Sequence, residues 1–374
     1  MKKLILAVLC LFLGGLPAAA DRGIIGAMSY DSPLGCAPDS IFNLISGTEI
    51  NTLLSTSGGS NTRHGFLVTD DISYQMARAI TNSNLWVAAS NLSPVSFINS
   101  LQFVTASVPD EGGVYNPSLS TEKNQIFVVA VGTAATCGGN RCPHLYRFNS
   151  APAATVSFLL NGYSIGAGET FSIFDGLHYF FVTNNSSGSS RILFKLDSGL
   201  SVVGTATIGN VFSELVDFNS SVWFVNQTTG PGLSFVNKES LSQTNIAVAG
   251  LSAGMNSNLA INTLTGAKYV VDGATVKMIS SSNVVVNSFG IGTETVGPRG
   301  LMMDEKAQKL YLVSDAIGNK RIRRINPDTF AIEQTLSVPT GNSAFSSAPD
   351  FIHKYLWISS VDTPSTIQRI QLCT

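Results

Sequence analysis

The sequence predicts an all-β fold, a β-propeller of four-stranded antiparallel blades, and three observations carry that expectation. A short phrase, a polar turn followed by an aromatic and two or more apolar residues, recurs through the chain at spacings of 41, 52, 44, 46, 42 and 46 residues. A second hairpin follows it in several copies, as in "RILFKLDSGLSVVGTATIG" and "LSFVNKESLSQTNIAVAG". Almost no stretch has the 3.6-residue apolar period of a helix. Four short strands every 41 to 52 residues is the spacing of a propeller blade, whereas stacked sandwich domains need about 100 residues each.

In chain order, residues 1–20 come first. Lys2 and Lys3 precede an apolar run from Leu4 to Leu13 and the small residues Ala18, Ala19 and Ala20. This is the layout of a secretory signal peptide, too short to span a membrane, and the mature chain is expected to begin at Asp21. No later apolar run reaches spanning length, so the product is expected to be exported, periplasmic or extracellular, with no transmembrane segment. Residues 21–374 are then one propeller domain. The segment "SIFNLISGTEINTLLST" resembles an outer hairpin and is expected to complete the final blade, which ends after "TIQRIQLCT".

The repeats follow as "NLWVAAS" with Trp86, "QIFVVAV" with Phe127, "LHYFFVT" with Tyr179, "SVWFVNQ" with Trp223, "AKYVVDG" with Tyr269, "KLYLVSD" with Tyr311 and "YLWISSV" with Trp357. All three tryptophans of the chain occupy this one position. It is expected on the second strand of each blade, filling the space between blades. An upstream apolar position accompanies each: Met76, Leu119, Ile173, Leu215, Leu259, Met302 and Ala348. Seven aromatic positions favour seven blades. Eight stay open, because "IIGAMSYD" resembles another second strand and the average spacing goes into the mature chain nearly eight times.

Of the five cysteines, Cys10 falls in the leader. The remaining four, in an exported chain, suggest two disulfides. "CGGNRC" makes Cys137–Cys142 the local pair and leaves Cys36 with Cys373. A zinc site from Cys137, Cys142 and His144 would have only three ligands close together. Charged residues are 12% of the chain and the net charge is −2, which gives no electrostatic case for nucleic acid. The one basic cluster, "NKRIRR" from Asn319 to Arg324, is expected to form a solvated strand face.

The stretch "GPRGLMMDEKAQKLYLVSDAIGNKRIRRINPDTFAIEQTLSV" resembles the YVTN-type repeat of seven-bladed, lactonase-like propellers over about one blade. The order of a Pro-Gly-like opening, an apolar strand, a charged turn, an aromatic strand and a closing hairpin carries the resemblance. Tyr311 stands at the family's aromatic position and no catalytic motif transfers. The resemblance implies the fold, with binding or hydrolytic roles both compatible.

Chemistry-bearing motifs are sparse. "GLSAG", Gly250 to Gly254, matches the nucleophile-elbow pattern, but strands rather than a helix are expected after it. It falls where the chain passes between blades. His64, His144, His178 and His353 form no paired ligand motif. The acidic pairs Asp70-Asp71, Asp110-Glu111 and Asp304-Glu305 are those of solvated turns, and "GIGTETVG" has the wrong glycine spacing for a dinucleotide loop. No catalytic residue, metal ligand or cofactor is expected. Calcium held in the channel by carboxylates of several blades would leave no local signature. Asn184, Asn226, Asp272 and Asp315 end second strands and form a candidate binding ring on the face where the chain crosses between blades. Strand termination accounts for the same residues. The favoured function is an exported binding protein that presents one face to a protein or glycan. Alternatives are a hydrolase or lactonase with a channel metal, and a structural component of the cell surface.

Overall fold

The computed structural model describes residues 42–45, 62–68, 72–79, 85–91, 101–105, 115–120, 125–131, 142–149, 155–160, 163–164, 172–185, 190–209, 214–226, 231–252, 255–316, 319–339, 345–351, 355–360 and 366–372. Every regular element among the described residues is a β-strand.

Four consecutive blades carry most of the described side chains and are named here by their inter-blade aromatics. The Phe180 blade contains Ser172–Phe174, Tyr179–Asn185, Arg191–Leu196 and Val202–Gly209. The Trp223 blade contains Val216–Phe218, Ser221–Asn226, Gly232–Asn237 and Gln243–Ala247. The Tyr269 blade contains Met255–Ile261, Lys268–Asp272, Thr275–Ile279 and Val285–Gly290. The Tyr311 blade contains Thr295–Asp304, Lys309–Asp315, Asn319–Ile325 and Ile332–Pro339. Within each, chain order is sheet order and all pairings are antiparallel.

The hairpins close for a local reason. An Asp or Asn at the end of one strand turns its Oδ1 onto backbone N–H groups two to four residues on, the turn chemistry for which these residues are suited. Asp175 receives Leu177 and His178, Asp197 receives Gly199 and Ser201, and Asn237 receives Glu239 and Ser240. Asn262, Asp304 and Asn326 repeat the device. Asp304 is thus only 2% exposed, unlike the solvated turn expected of it.

The core lies between blades, because each sheet buries both faces. In the Tyr269 blade all five residues of Lys268–Asp272 are buried. Tyr269 and Val271 pack towards Leu310, Leu312 and Phe330 of the next blade, while Val270 joins Trp223, Val225 and Leu233 of the preceding one. The Tyr269 hydroxyl donates to the Pro327 carbonyl at 3.1 Å. Burying one such ring contributes roughly 1.5–3 kcal/mol. Tyr311 and Trp223 likewise face the following blade. In the Phe180 blade the equivalent is Phe180, which packs against Val222 and Phe224, whereas Tyr179 faces backwards onto Leu145.

Tyr163–Ser164 adds a short fifth strand to the Phe180 sheet, paired with Asn185 and Asn184, and the remaining described strands form three further sheets. One is Thr62–Val68, Ile72–Ala79, Leu85–Asn91 and Leu101–Thr105; another is Tyr115–Ser120, Gln125–Val131, Pro143–Asn149 and Thr155–Leu159. In the third, Phe345–Asp350, Tyr355–Ser360 and Thr366–Leu372 are followed outwards by Phe42–Ile45, with Phe42 opposite Leu372 and Ile45 opposite Arg369. Trp86 departs from the expected second strand. Thr62–Val68 contacts the innermost strands on both sides, Tyr115–Ser120 and Phe345–Asp350, so Leu85–Asn91 is third in its sheet. The recurring phrase marks any buried aromatic strand and does not by itself count strands outwards from the axis.

Candidate functional site: the crossover rim

In every blade the first and third strands run opposite to the second and fourth. The end of the second strand, the start of the third and the crossover to the next blade therefore share one rim. Asn226 and Asp272 lie on it three residues after Trp223 and Tyr269. Thr183 and Ser314 occupy the same position after Phe180 and Tyr311. All four are buried, at 3%, 4%, 3% and 0% exposure for Asn226, Asp272, Thr183 and Ser314. Asn184 and Asp315 fall one residue later in their strands, and the register partner of each is a buried cation, Arg191 and Lys320.

Around Asp272 the rim is tied to the preceding crossover. Its Oδ2 accepts the Ser252 N–H at 2.9 Å and Lys277 Nζ at 2.5 Å, and its Oδ1 accepts the Ser252 hydroxyl. Lys277 also donates to the Gly250 carbonyl. Burial pushes the Asp272 carboxyl up, but the hydrogen bonds from Lys277 and Ser252 outweigh it and hold the group below the ordinary carboxylate range. Ser252 of "GLSAG" is therefore a fastener. Its hydroxyl donates to the Asp272 carboxylate, which Lys277 also engages, and His353 lies outside the described residues.

One blade on, the acid sits on the crossover itself. Glu294 takes a two-pronged contact from Arg323, NH1 to Oε2 at 2.6 Å and NH2 to Oε1 at 2.7 Å. Ser314 Oγ donates to Oε2 at 2.5 Å, and Arg321 donates to Oε1. Burial alone would raise this carboxyl; Arg323, Ser314 and Arg321 instead hold it at about 2. Asp315 Oδ2 pairs with Lys320 at 2.7 Å, while its Oδ1 is buried without a hydrogen-bond donor. The cluster "NKRIRR" is thus no solvated face. Lys320 and Arg323 are buried, at 0% and 7% exposure, because Asp315 and Glu294 neutralise them where blades meet.

Asn226 belongs to an uncharged version of the same rim. Its Nδ2 donates to Ser234 Oγ at 2.9 Å and Asn245 Oδ1 at 3.1 Å, and Ser234 donates to Asn245 at 2.6 Å. Sequence reasoning placed Asn226 and Asp272 on this rim but missed Glu294, Lys277, Arg321 and Arg323. A lone acid in a crossover and basic residues on a strand gave no local sign that they meet.

Elsewhere, His178 sits at the opposite rim, its Nδ1 4.0 Å from Asp175, with burial foremost in lowering its pKa. Cys142 is buried and disulfide-bonded; Cys36, Cys137 and Cys373 lie outside the described residues. Among the described residues no three His, Cys, Asp or Glu side chains converge to hold a metal ion, and no helix is long and apolar enough to cross a membrane.

No protein-family model matches the chain, and no curated protein matches its sequence. Solved structures do match. The extracellular domain of a hybrid two component system from B. thetaiotaomicron superimposes with a TM-score of 0.56 at 12% identity, over 89% of this chain and 43% of that one. The chain therefore spans less than half the length of that relative. The β-propeller domain of the Trilobed protease from Pyrococcus furiosus gives 0.54 at 7% identity, over 84% and 96%. The AfRom2 CNH domain gives 0.54 at 10% identity, also over 84% and 96%. At such identities the likeness carries the fold alone, and with the blade-by-blade pairing it makes the chain a β-propeller.

Proposed function

We propose that this chain is an exported binding protein that presents the crossover rim of its propeller to a protein partner. The observation that carries this reading is the fastening of successive crossovers by part-buried charge-assisted bonds, Ser252 on Asp272 and Glu294 on Ser314 and Arg323. A rim fixed in advance loses little conformational freedom on association. Asn226 and Asp272 shape it from beneath, and Asn184 and Asp315 sit beside it. Export is supported by the leader-like residues 1–20 and the disulfide-bonded Cys142. An extracellular domain among the similar folds supports it as well. Seven blades, pairing of Cys137 with Cys142 and of Cys36 with Cys373, and a YVTN-like ancestry for the Tyr311 blade belong to the same reading.

The test is a thermal-shift panel on the chain from Asp21 with peptides, oligosaccharides, lactones, calcium and zinc. A ligand of the folded state stabilises it by about 2.7 kcal/mol at a hundredfold excess over its dissociation constant. A stabilising peptide or protein that also protects 248–252 and 291–300 from hydrogen exchange supports the rim. Protection confined to the opposite rim removes it. A metal shift reversed by chelator, with turnover of a lactone, replaces binding with hydrolysis.

A further inference from the structure

On the crossover rim the carboxylates Asp272, Glu294 and Asp315 do not match their cations one for one. Asp272 takes Lys277 and Asp315 takes Lys320, whereas Glu294 takes both Arg321 and Arg323. One positive charge is left over, and exposure says which side chain carries it. The side chains of Lys320, Arg323 and Lys277 are 0%, 9% and 18% exposed, and that of Arg321 is 43% exposed. A buried charge has to be paired where it stands. Arg321 is the one of these cations that a ligand can reach.

The bonds on Glu294 lead to the same residue. Arg323 closes a fork on both carboxylate oxygens, and Ser314 occupies a further position on Oε2. Arg321 donates to Oε1 through NH1 alone, and its other N–H groups have no acceptor among the described residues. Glu294 therefore anchors one edge of this guanidinium, and the other edge is open. Ser337, exposed on the outermost strand of the blade, is the register partner of Arg321. Residues directly opposite share one face of a sheet, with Cβ atoms about 4.5–5.5 Å apart. An exposed hydroxyl thus stands beside the anchored guanidinium.

We propose that Arg321, with Ser337 beside it, is the anion-binding group of the rim and takes a carboxylate side chain of the protein partner. This rests on the rim-binding reading above. One surplus charge matches the single negative charge of a carboxylate, whereas a phosphoryl group carries about −1.5 to −2. A guanidinium edge meets a carboxylate in two parallel hydrogen bonds. Anchored by Glu294 in advance, the side chain loses little freedom on pairing.

Calorimetric titration of the chain from Asp21 with hexaglutamate tests it, beside hexaglutamine, a phosphoserine hexapeptide and trigalacturonate. The wild type is expected to bind hexaglutamate, more weakly as salt rises, and not hexaglutamine. R321Q is expected to weaken that binding by about tenfold or more, the range of a charge-assisted bond. Its melting temperature should hold, because Arg323 and Ser314 still grip Glu294. R321K, which keeps the charge and loses the fork, should fall between the two. R324Q is the control: it removes an equal charge from the same strand, where Arg324 is paired with Glu333, and should leave binding unchanged. Equal losses in R321Q and R324Q would mean net charge rather than a site and overturn the assignment. Undiminished binding by R321Q, or a wild type that binds no acid, overturns it too. The rim reading survives those outcomes if a peptide or protein ligand still protects 248–252 and 291–300 from hydrogen exchange. Tighter binding of the phosphoserine peptide or of trigalacturonate, lost in R321Q, overturns the protein carboxylate in favour of a phosphate or a sugar acid.

Discussion

Glu294 is paired with two guanidinium groups, and its titration should be visible in the stability of the whole protein. Its carboxyl is held at about 2 in the fold against an ordinary 4.5. A group whose folded pKa is depressed contributes stability that is present above the unfolded value and lost as pH falls towards the folded one. The window is therefore from about 4.5 down to about 2, and the linked contribution is on the order of 3 kcal/mol. E294Q should lower the melting temperature at pH 7 and flatten the acid limb of a melting-temperature profile between pH 5 and 2. An unchanged acid limb in E294Q would place the acid sensitivity elsewhere. E294A should cost more, roughly 3–5 kcal/mol, because it leaves the buried Arg323 guanidinium without its counter-charge. Asp272 has a lesser version of the same role. D272N keeps the shape of the group but loses the charge that Lys277 faces, so chemical denaturation should show a smaller loss than for E294A.

At the scale of the strand, register decides which residues matter. Ile173 stands opposite Phe180, Val216 opposite Trp223, Ala260 opposite Tyr269, and Met302 opposite Tyr311. The aromatic phrase was legible in sequence because only a buried strand concentrates such residues. Tyr179-Phe180-Phe181 offers three rings in a row, however, and a slip of one residue turns every side chain to the other face. Periodicity cannot choose among them; the pairing of Ile173 with Phe180 does. Leu215 and Leu259, two of the upstream apolar positions, are buried one residue before the positions opposite Trp223 and Tyr269. F180A should cost about 3–5 kcal/mol as a cavity between the Phe180 and Trp223 blades, measured by urea unfolding. The bulge at 297–300, where Val296 lies opposite Ser314 and Leu301 opposite Leu312, was not legible at all. "GPRG" reads as a turn before a strand, and the buried side chains that hold it, Asn258 on the Gly300 N–H and Ser347 on the Arg299 carbonyl, lie some forty residues away on either side. G300A should destabilise by about 1–3 kcal/mol through overpacking against Val296 and Val313, a loss that urea unfolding would register; no loss would mean the bulge yields easily.

The ring as a whole was legible through its period, because a four-stranded sheet that buries both faces has few other ways to be satisfied. Its seam was legible only as a segment, residues 40–56, expected to complete the final blade, because the pairing strand comes from the far end of the sequence and has no local partner to fix its bounds. Phe42–Ile45 runs beside Thr366–Leu372, with Asn43 opposite Gln371 and Leu44 opposite Ile370. If this pairing closes the ring, the energy it supplies is shared by every blade, because an open ring exposes the faces of its first and last sheets to water. Replacing 42–45 with a Gly/Ser stretch of the same length removes the outer-strand pairing and leaves the inter-blade core between 172 and 339 untouched. At about 0.5–1.5 kcal/mol net for each hydrogen bond lost, the change should lower the melting temperature by several degrees. Unfolding should stay a single cooperative transition if the seam holds the ring together. Hydrogen exchange should then quicken first in 355–360 and 366–372, while Lys268–Asp272 and Lys309–Asp315 keep their protection. Unaltered exchange in 366–372 would show that the four-residue strand lies against the ring without closing it.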